Sequence, residues 1–352
     1  MNNSTARSYV NRKKVGVALS GGVDSTSTAL LLKDHYNVTG FFMQLAQPDI
    51  EKQIERVTEV AERIAVPLHI INLSEPFEKR VLDYFCSSYL RGLTPNPCVI
   101  CNEGIKFGLF LETVLGTGMD MMATGHYARI METDGVFHLY KGVDKRKDQS
   151  YFLSRLNQVQ LSRILFPLGE KTKDDIYDFV EGHGFHSFRG RESQDVCFLE
   201  HTSVADFLQQ KSAAVQPGYI QDEAGTILGR HQGISCYTVG QRRGLGISDS
   251  RPFYVTRIDA ASNTVVVGKS EDLLQKDITL HNLHWIAGNA PSLEKKYQVK
   301  IRYTHPGCDA SLTELANGRL QLHFSQAQRA LTPGQFAVIY SNDEVVGSGE
   351  IT

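Results

Sequence analysis

The chain has 352 residues, 41% of them apolar, enough for two or three globular domains at about 100–200 residues each. Its 37 Lys and Arg against 39 Asp and Glu leave a net charge of −2, which excludes a diffusely polycationic nucleic-acid binder and confines any RNA contact to local basic patches. Six cysteines are too few for a secreted disulfide scaffold. No apolar run approaches the ~18 residues of a membrane helix, and the polar stretch Met1 to Arg12 lacks a secretory h-region, so a cytoplasmic protein without membrane association is expected.

The first half alternates strand and helix signals. Lys14–Leu19 is a short apolar run ending in a Ser-Gly-Gly turn, Ser25–Asp34 has helical character, and Val38–Met43 is a second β-type run. Ile50, Ile54, Val57, Ala61 and Ile64 follow the rhythm of an amphipathic helix. Leu68–Asn72 and Met119–Thr124 are further strand candidates. Such alternation predicts a parallel sheet covered on both faces by helices. Ligands of these sheets bind at the carboxyl ends of the strands, where the Ser-Gly-Gly turn, Met43 and Gly125 fall. From about Gly218 the pattern changes. Tyr297, Val299, Ile301 and Tyr303 alternate with Gln298, Lys300 and Arg302, and Leu320, Leu322 and Phe324 follow an Asn317-Gly318 hairpin signal. The predicted fold is α/β: a Rossmann-like domain with a parallel sheet over 1–205, a small β-rich middle domain over 206–274, and a C-terminal β-barrel over 275–352.

Ser20-Gly21-Gly22-Val23-Asp24-Ser25 closes the first strand and opens the first helix. The glycines let backbone approach an anion, the first-turn N–H groups point at it, and Ser20 and Ser25 add hydroxyls. Asp24 would repel a bare phosphate and makes sense as a holder of Mg²⁺. The string lacks the Gly-Lys-Ser/Thr of a Walker A loop. It resembles the PP-loop of the ATP pyrophosphatases, which split ATP into AMP and pyrophosphate and adenylate an oxygen. Met43 is then an adenine contact, though core packing explains it equally well. In Ala123-Thr124-Gly125-His126-Tyr127, Gly125 would admit a nucleotide and His126 stands at a loop.

Thr94-Pro95-Asn96-Pro97-Cys98-Val99-Ile100-Cys101-Asn102 places two cysteines at C-x2-C spacing in a proline-stiffened loop. A third, Cys197, lies far away in Ser193-Gln194-Asp195-Val196-Cys197-Phe198. Lys106 near Cys101, and Arg189 and Arg191 near Cys197, would favour thiolates. A redox or sulfur-transfer pair of Cys101 and Cys197 competes with two metal readings: a structural zinc site short of a fourth ligand, and a [4Fe–4S] cluster on Cys98, Cys101 and Cys197. Cys86, Cys236 and Cys308 read as inert. Local basic patches are offered by Lys145-Arg146-Lys147-Asp148-Gln149-Ser150, which runs into Tyr151-Phe152-Leu153, by Gly240-Gln241-Arg242-Arg243-Gly244, and by Arg302 and Tyr303 on a barrel strand.

These strings, with K-D-Q-S-Y-F-L at 147–153, G-Q-R-x-G-L-G at 240–246 and T-P-G-Q at 332–335, stand in the order found in the bacterial and mitochondrial tRNA-specific 2-thiouridylases. From about Lys13 onward the chain resembles that family. The resemblance implies that Ala18, Leu19, Ser20, Gly21, Gly22, Val23, Asp24 and Ser25, with Met43 and Gly125, bind ATP with Mg²⁺. It implies that Asn96, Pro97 and Cys98 contact the target base, that Cys101 is the nucleophile, and that Cys197 carries a persulfide delivered by a relay protein. His126, Lys147, Asp148, Gln149, Arg302, Tyr303 and Gln335 would touch tRNA. The implied reaction is 2-thiolation of the wobble uridine of Lys, Glu and Gln tRNAs by a monomeric enzyme. The C2 oxygen is adenylated, sulfur passes from Cys197 directly or as sulfide released by Cys101, and a Cys101–Cys197 disulfide remains. Alternatives are thiolation of the same base through an iron–sulfur cluster, a PP-loop ligase acting on a small molecule, and a non-catalytic RNA-binding or sulfur-carrier protein. Two departures stand out: many members of the family have Asp where this chain has Cys98, and Gln44–Asp49 is shorter than its counterpart.

Overall fold

A computed structural model describes residues 12–186, 188, 196–199, 202–211 and 216–352. Arg189, Arg191 and Ser193 to Asp195 lie outside the described residues. The first domain runs β1 (Lys14–Ala18), α1 (Val23–Lys33), β2 (Asn37–Gln44), α2 (Ile50–Arg63), β3 (Leu68–Asn72), α3 (Ser74–Phe77), α4 (Asp83–Leu90), α5 (Pro97–Cys101), α6 (Leu111–Gly116), β4 (Met121–Ala123), β5 (Ala128–Thr133), β6 (Val136–Lys141), α7 (Gln158–Leu161), β7 (Ile164–Leu165), α8 (Lys173–Gly182) and α9 (Val204–Lys211).

Five strands form a parallel sheet in the order β3-β2-β1-β4-β7. Both faces are covered, as the alternating pattern requires. Val15, Val17, Val57, Ala61 and Ile64 are buried in one core cluster, and Phe41, Phe85, Phe107, Phe110, Val114 and Met122 in another. Gly16 sits where a Cβ would collide with the Val114 side chain, so the small residue lets the covering helix close onto β1. Between α5 and α6 the helix continues from Asn102 to Phe110 in π-helical form, a local widening that recurs at functional sites.

The middle domain is a four-stranded sheet of β8 (Gly218–Asp222), β9 (Ile227–His231), β10 (Tyr254–Asp259) and β11 (Thr264–Gly268), ordered β10-β11-β8-β9. The last domain comprises β12 (Leu274–Trp285), β13 (Tyr297–Lys300), β14 (Cys308–Leu315), β15 (Arg319–Arg329), β16 (Phe336–Ser341) and β17 (Glu344–Ile351). Its order β12-β15-β14-β13-β16-β17 closes through β12–β17 pairing into a six-stranded barrel. Asn317 (φ 63°) and Gly318 (φ 66°) make the β14–β15 connection, the left-handed geometry an Asn-Gly hairpin favours.

Two features depart from the sequence pattern. The β5–β6 hairpin of the first domain adds to the barrel, with Tyr140 opposite Glu344 and Leu139 opposite Val345. And β13 ends at Lys300, so Arg302 and Tyr303 occupy a turn rather than a strand, with the His305 N–H donating to the Arg302 carbonyl at 3.0 Å. Pro306 has no N–H to continue a ladder, and Gly307 (φ 96°) reverses the chain.

Candidate functional site

The glycine loop is shaped to receive an anion. Gly21 adopts φ 73° and lies against α2, where a Cβ would stand 3.2 Å from the Val57 Cα. Gly22 occupies the N-cap of α1 and supplies no side-chain cap, which leaves first-turn N–H groups for a ligand. Ser20 and Ser25 are coupled: the Ser20 N–H donates to the Ser25 Oγ at 3.1 Å, and the two hydroxyls are 3.1 Å apart. The loop follows β1 at its carboxyl end, with Met43 the next-to-last residue of neighbouring β2, half-buried against the core. These residues fit a nucleotide phosphate.

Asp24 fits Mg²⁺ less well. Its carboxylate accepts from the Lys173 ammonium at 2.8 and 2.9 Å and from the Tyr127 hydroxyl at 2.8 Å. Lys173, the first residue of α8, is buried. In this structure the carboxylate is shared by an ammonium and a phenol, so a cation would have to compete with Lys173 for it. Sequence reasoning missed Lys173 because it lies 149 residues from Asp24 and no spacing rule links them. Gly125 has a packing role at the same loop. A Cβ on it would lie 2.9 Å from the Asp24 backbone carbon, so its bareness seats the β4 loop on the start of α1.

The cysteine helix runs on into the π-helical segment that packs on His126, next to Gly125. Asn96 caps α5, accepting from the Val99 N–H at 3.3 Å, and Pro97 fills a first-turn position that needs no N–H. Cys98 and Cys101 are half-buried, Cys197 is exposed, and none of the three carries a disulfide. Burial pushes the Cys101 thiol up to about 12; Lys106 opposes this, while Cys197 and Cys98, both close by, add to it. The Cys98 thiol is likewise raised by burial and opposed by Lys106. The Cys197 segment is pinned by Phe198, whose ring lies 5.1 Å from those of Phe85 and Phe207. Among the described residues, no group of three or more His, Cys, Asp or Glu side chains is arranged to hold a metal ion.

His126 joins the two halves of the site. Its ring packs on Phe107 at 5.5 Å, on the cysteine-bearing helix, and on Phe166 at 5.7 Å, and its Nδ1 is 2.7 Å from the Thr124 hydroxyl. Burial, helped by the Lys106 charge, holds its pKa well below 6.5, so the imidazole is neutral at pH 7.

The barrel supports the cysteine loop from behind. Gln335 Nε2 donates to the carbonyls of Thr94 at 2.8 Å and Pro95 at 3.2 Å, and the Thr94 N–H donates to the Pro333 carbonyl at 2.9 Å. Gly334 (φ 87°) leaves no room for a Cβ, which would stand 2.9 Å from the Leu93 Cβ. Thr94 Oγ1 also reaches Thr238 Oγ1 of the middle domain at 3.4 Å. The T-P-G-Q string therefore holds the loop, and the Gln335 side chain is turned toward it.

The residues expected at tRNA divide. Asp148 is buried, accepting from the Gly142 and Ser150 N–H groups, and Gln149 accepts from the Tyr127 N–H; both shape the loop. Lys147 lies close enough to Tyr303 to oppose the rise that burial imposes on its phenol. The Tyr303 ring sits 4.6 Å from that of Phe152, and Arg302 beside it is exposed. Lys147, Arg302 and Tyr303 thus form one cationic and aromatic surface of the kind that grips a nucleotide backbone and stacks a base.

Family models cover most of the chain: a tRNA methyl transferase HUP domain over residues 13–201, a tRNA methyl transferase PRC-barrel domain over 205–269, and an aminomethyltransferase β-barrel domain over 275–351. The chain is 52% identical over 337 residues to the tRNA-specific 2-thiouridylase MnmA of Desulfotalea psychrophila, covering 96% of this chain and 98% of that one. It is 43% identical to the protein of the same name from Geobacter metallireducens, covering 97% of each. To that of Magnetococcus marinus it is 41% identical, covering 96% of this chain and 99% of the other.

Proposed function

The chain belongs to the tRNA-specific 2-thiouridylase family, and from that membership we propose that it uses ATP to replace the C2 oxygen of a tRNA uridine, the wobble uridine of Lys, Glu and Gln tRNAs, with sulfur. The observation that carries this reading is the junction at His126. There the loop after β4, seated on Asp24 of the glycine loop through Gly125, meets the π-helical continuation of the helix bearing Cys101, with Cys197 within electrostatic reach of Cys101. Such a site suits thiolation better than the methyl transfer named in the descriptions of the family models, because methyl transfer calls for neither an ATP-splitting loop nor paired thiols.

The C2 oxygen of uracil is a poor leaving group. Held beside the α1 N-terminus, ATP adenylates it, and pyrophosphate leaves. The backbone N–H groups and the Ser20 and Ser25 hydroxyls bind the phosphates where negative charge accumulates. Mg²⁺ brought with ATP would screen those phosphates; Asp24, paired with Lys173, orients the loop. The Cys197 thiol is exposed, which suits loading as a persulfide by a relay protein. Cys101 then attacks the inner sulfur of that persulfide, releasing sulfide as the Cys101–Cys197 disulfide forms. The sulfide adds to C2 and AMP departs. The target base reaches the site by leaving the anticodon stack, with Asn96 to Cys98 beside it and Lys147, Arg302 and Tyr303 on the flanking RNA.

The test is thiolation of unmodified tRNA with ATP and a persulfide source, read as 2-thiouridine by mass spectrometry. Cys101→Ser and Cys197→Ser each lose all product while still binding ATP. Full activity in either variant would overturn the assigned roles. Iron content of protein purified without oxygen decides the cluster alternative: activity that tracks iron would place Cys98, Cys101 and Cys197 on a cluster.

A further inference from the structure

We propose that Cys98 is the resolving thiol of this site: it attacks the Cys101–Cys197 disulfide left by sulfur transfer, forms a Cys98–Cys101 disulfide, and returns Cys197 as a thiol ready for reloading. The proposal rests on the thiolation reading above and supplies the step that reading lacks, since an enzyme stopped as a disulfide makes one product only.

The geometry favours this exchange. Cys98 and Cys101 are three residues apart on α5, so they share a helical face with Cβ atoms about 5–6 Å apart. A disulfide needs Cβ atoms about 3.5–4.5 Å apart, which the first turn of α5, at the free N-terminal end of the continuous helix, reaches by tightening. Cys101 interacts with two other cysteines, Cys98 on its own helix and Cys197 on the segment anchored by Phe198. The three are not equivalent. Cys197 is exposed and open to a sulfur donor, whereas Cys98 is half-buried within the site. Burial raises both thiols of α5, and Lys106 supplies the positive charge that partly offsets it.

In the exchange the Cys98 thiolate forms a bond to the Cys101 sulfur and the Cys101–Cys197 bond breaks. Its electron pair leaves on Cys197, which takes up a proton equivalent to the one Cys98 released to solvent. The step is redox-neutral. The two electrons that return Cys98 and Cys101 to thiols come from an external dithiol.

The experiment uses the full chain carrying one persulfide on Cys197, mixed with ATP and unmodified tRNA without reductant. The reaction is quenched with an alkylating agent; 2-thiouridine is counted and disulfides are mapped by non-reducing peptide mass spectrometry. The expected result is 2-thiouridine together with a Cys98–Cys101 disulfide and an alkylated Cys197. In Cys98→Ser protein the disulfide that accumulates is Cys101–Cys197. If the unaltered chain makes 2-thiouridine but keeps Cys101–Cys197 bonded with Cys98 alkylated, the resolving role is overturned while thiolation stands. If no 2-thiouridine forms, thiolation itself fails and the resolving role falls with it. The wild-type map decides the matter whether or not the variant folds.

Discussion

The two halves of the site are built in opposite ways. The backbone of the nucleotide loop is shaped from close by, with Ser20 on Ser25 and the hydroxyls of Ser25 and of the next residue, Thr26, on the Gly22 carbonyl, while the Asp24 carboxylate is held from afar by Lys173 and Tyr127. The cysteine loop is held by strangers, with Gln335 of the barrel 241 residues away and Thr238 of the middle domain 144 residues away. A local motif carries its geometry wherever its strand and helix form. An assembled one exists only once all three domains have docked. Damage to the first should therefore strike ATP use directly, and damage to the second should spare ATP binding and strike sulfur transfer.

Gly125→Ala tests the first half most sharply. The new Cβ would press on the Asp24 backbone, and overpacking of this kind costs about 1–3 kcal/mol, so ATP affinity should fall roughly 5- to 150-fold by calorimetry. Unchanged affinity would show that the β4 loop can yield. Lys173→Met comes next. It strips Asp24 of its ammonium partner, and an unpaired group at a partly buried site costs about 1–3 kcal/mol. Thermal unfolding should drop and KM for ATP should rise, whereas Lys173→Arg should recover part of both. Gln335→Ala probes the second half. Two carbonyls lose their donor at about 0.5–1.5 kcal/mol per bond, so thiolation should slow with ATP binding intact. A parallel loss of ATP binding would erase the contrast between the halves.

Much of the scaffold was legible in the sequence because its signals are local. Leu68–Asn72 is the strand its apolar run predicts, and the remaining elements around the glycine loop fall within a few residues of their predicted spans. The collinear motifs likewise pointed to the family. What stayed hidden was direction and distance. Composition makes Asp148 a loop residue but does not say that it faces inward. The alternation through Tyr303 mimics a strand that Pro306 and Gly307 end early. Lys173 looks like any helix-start lysine until the fold lays it on Asp24. Nothing in Val136–Lys141 announces that the hairpin will pair with the last strand of the chain.

The smallest predicted effect concerns acid. His126 is held neutral by burial, its pKa well below 6.5, and His231, His284 and His305 are lowered for the same first cause. The unfolded chain thus binds more protons than the folded one just below pH 6.5, and stability rises with pH there. The stabilisation is complete above about pH 6.5 and erodes as pH falls toward the folded-state values. Denaturant midpoints measured from pH 7.5 to 5.5 should decline, and the decline should be shallower in His126→Gln. A profile identical to wild type would assign the loss to the other three.

The pairing of β6 with β17 also sets a timetable for biosynthesis. The hairpin's barrel-facing edge leaves the ribosome roughly 200 residues before its partner strand does, a wait on the order of 10–40 s at ordinary rates of translation. Once α9 has followed, an unpaired strand edge is exposed on an otherwise finished nucleotide domain, where a chaperone or a second nascent chain can find it. A nonsense codon just ahead of Glu344 would make that interval permanent, leaving barrel and hairpin without the strand that joins them.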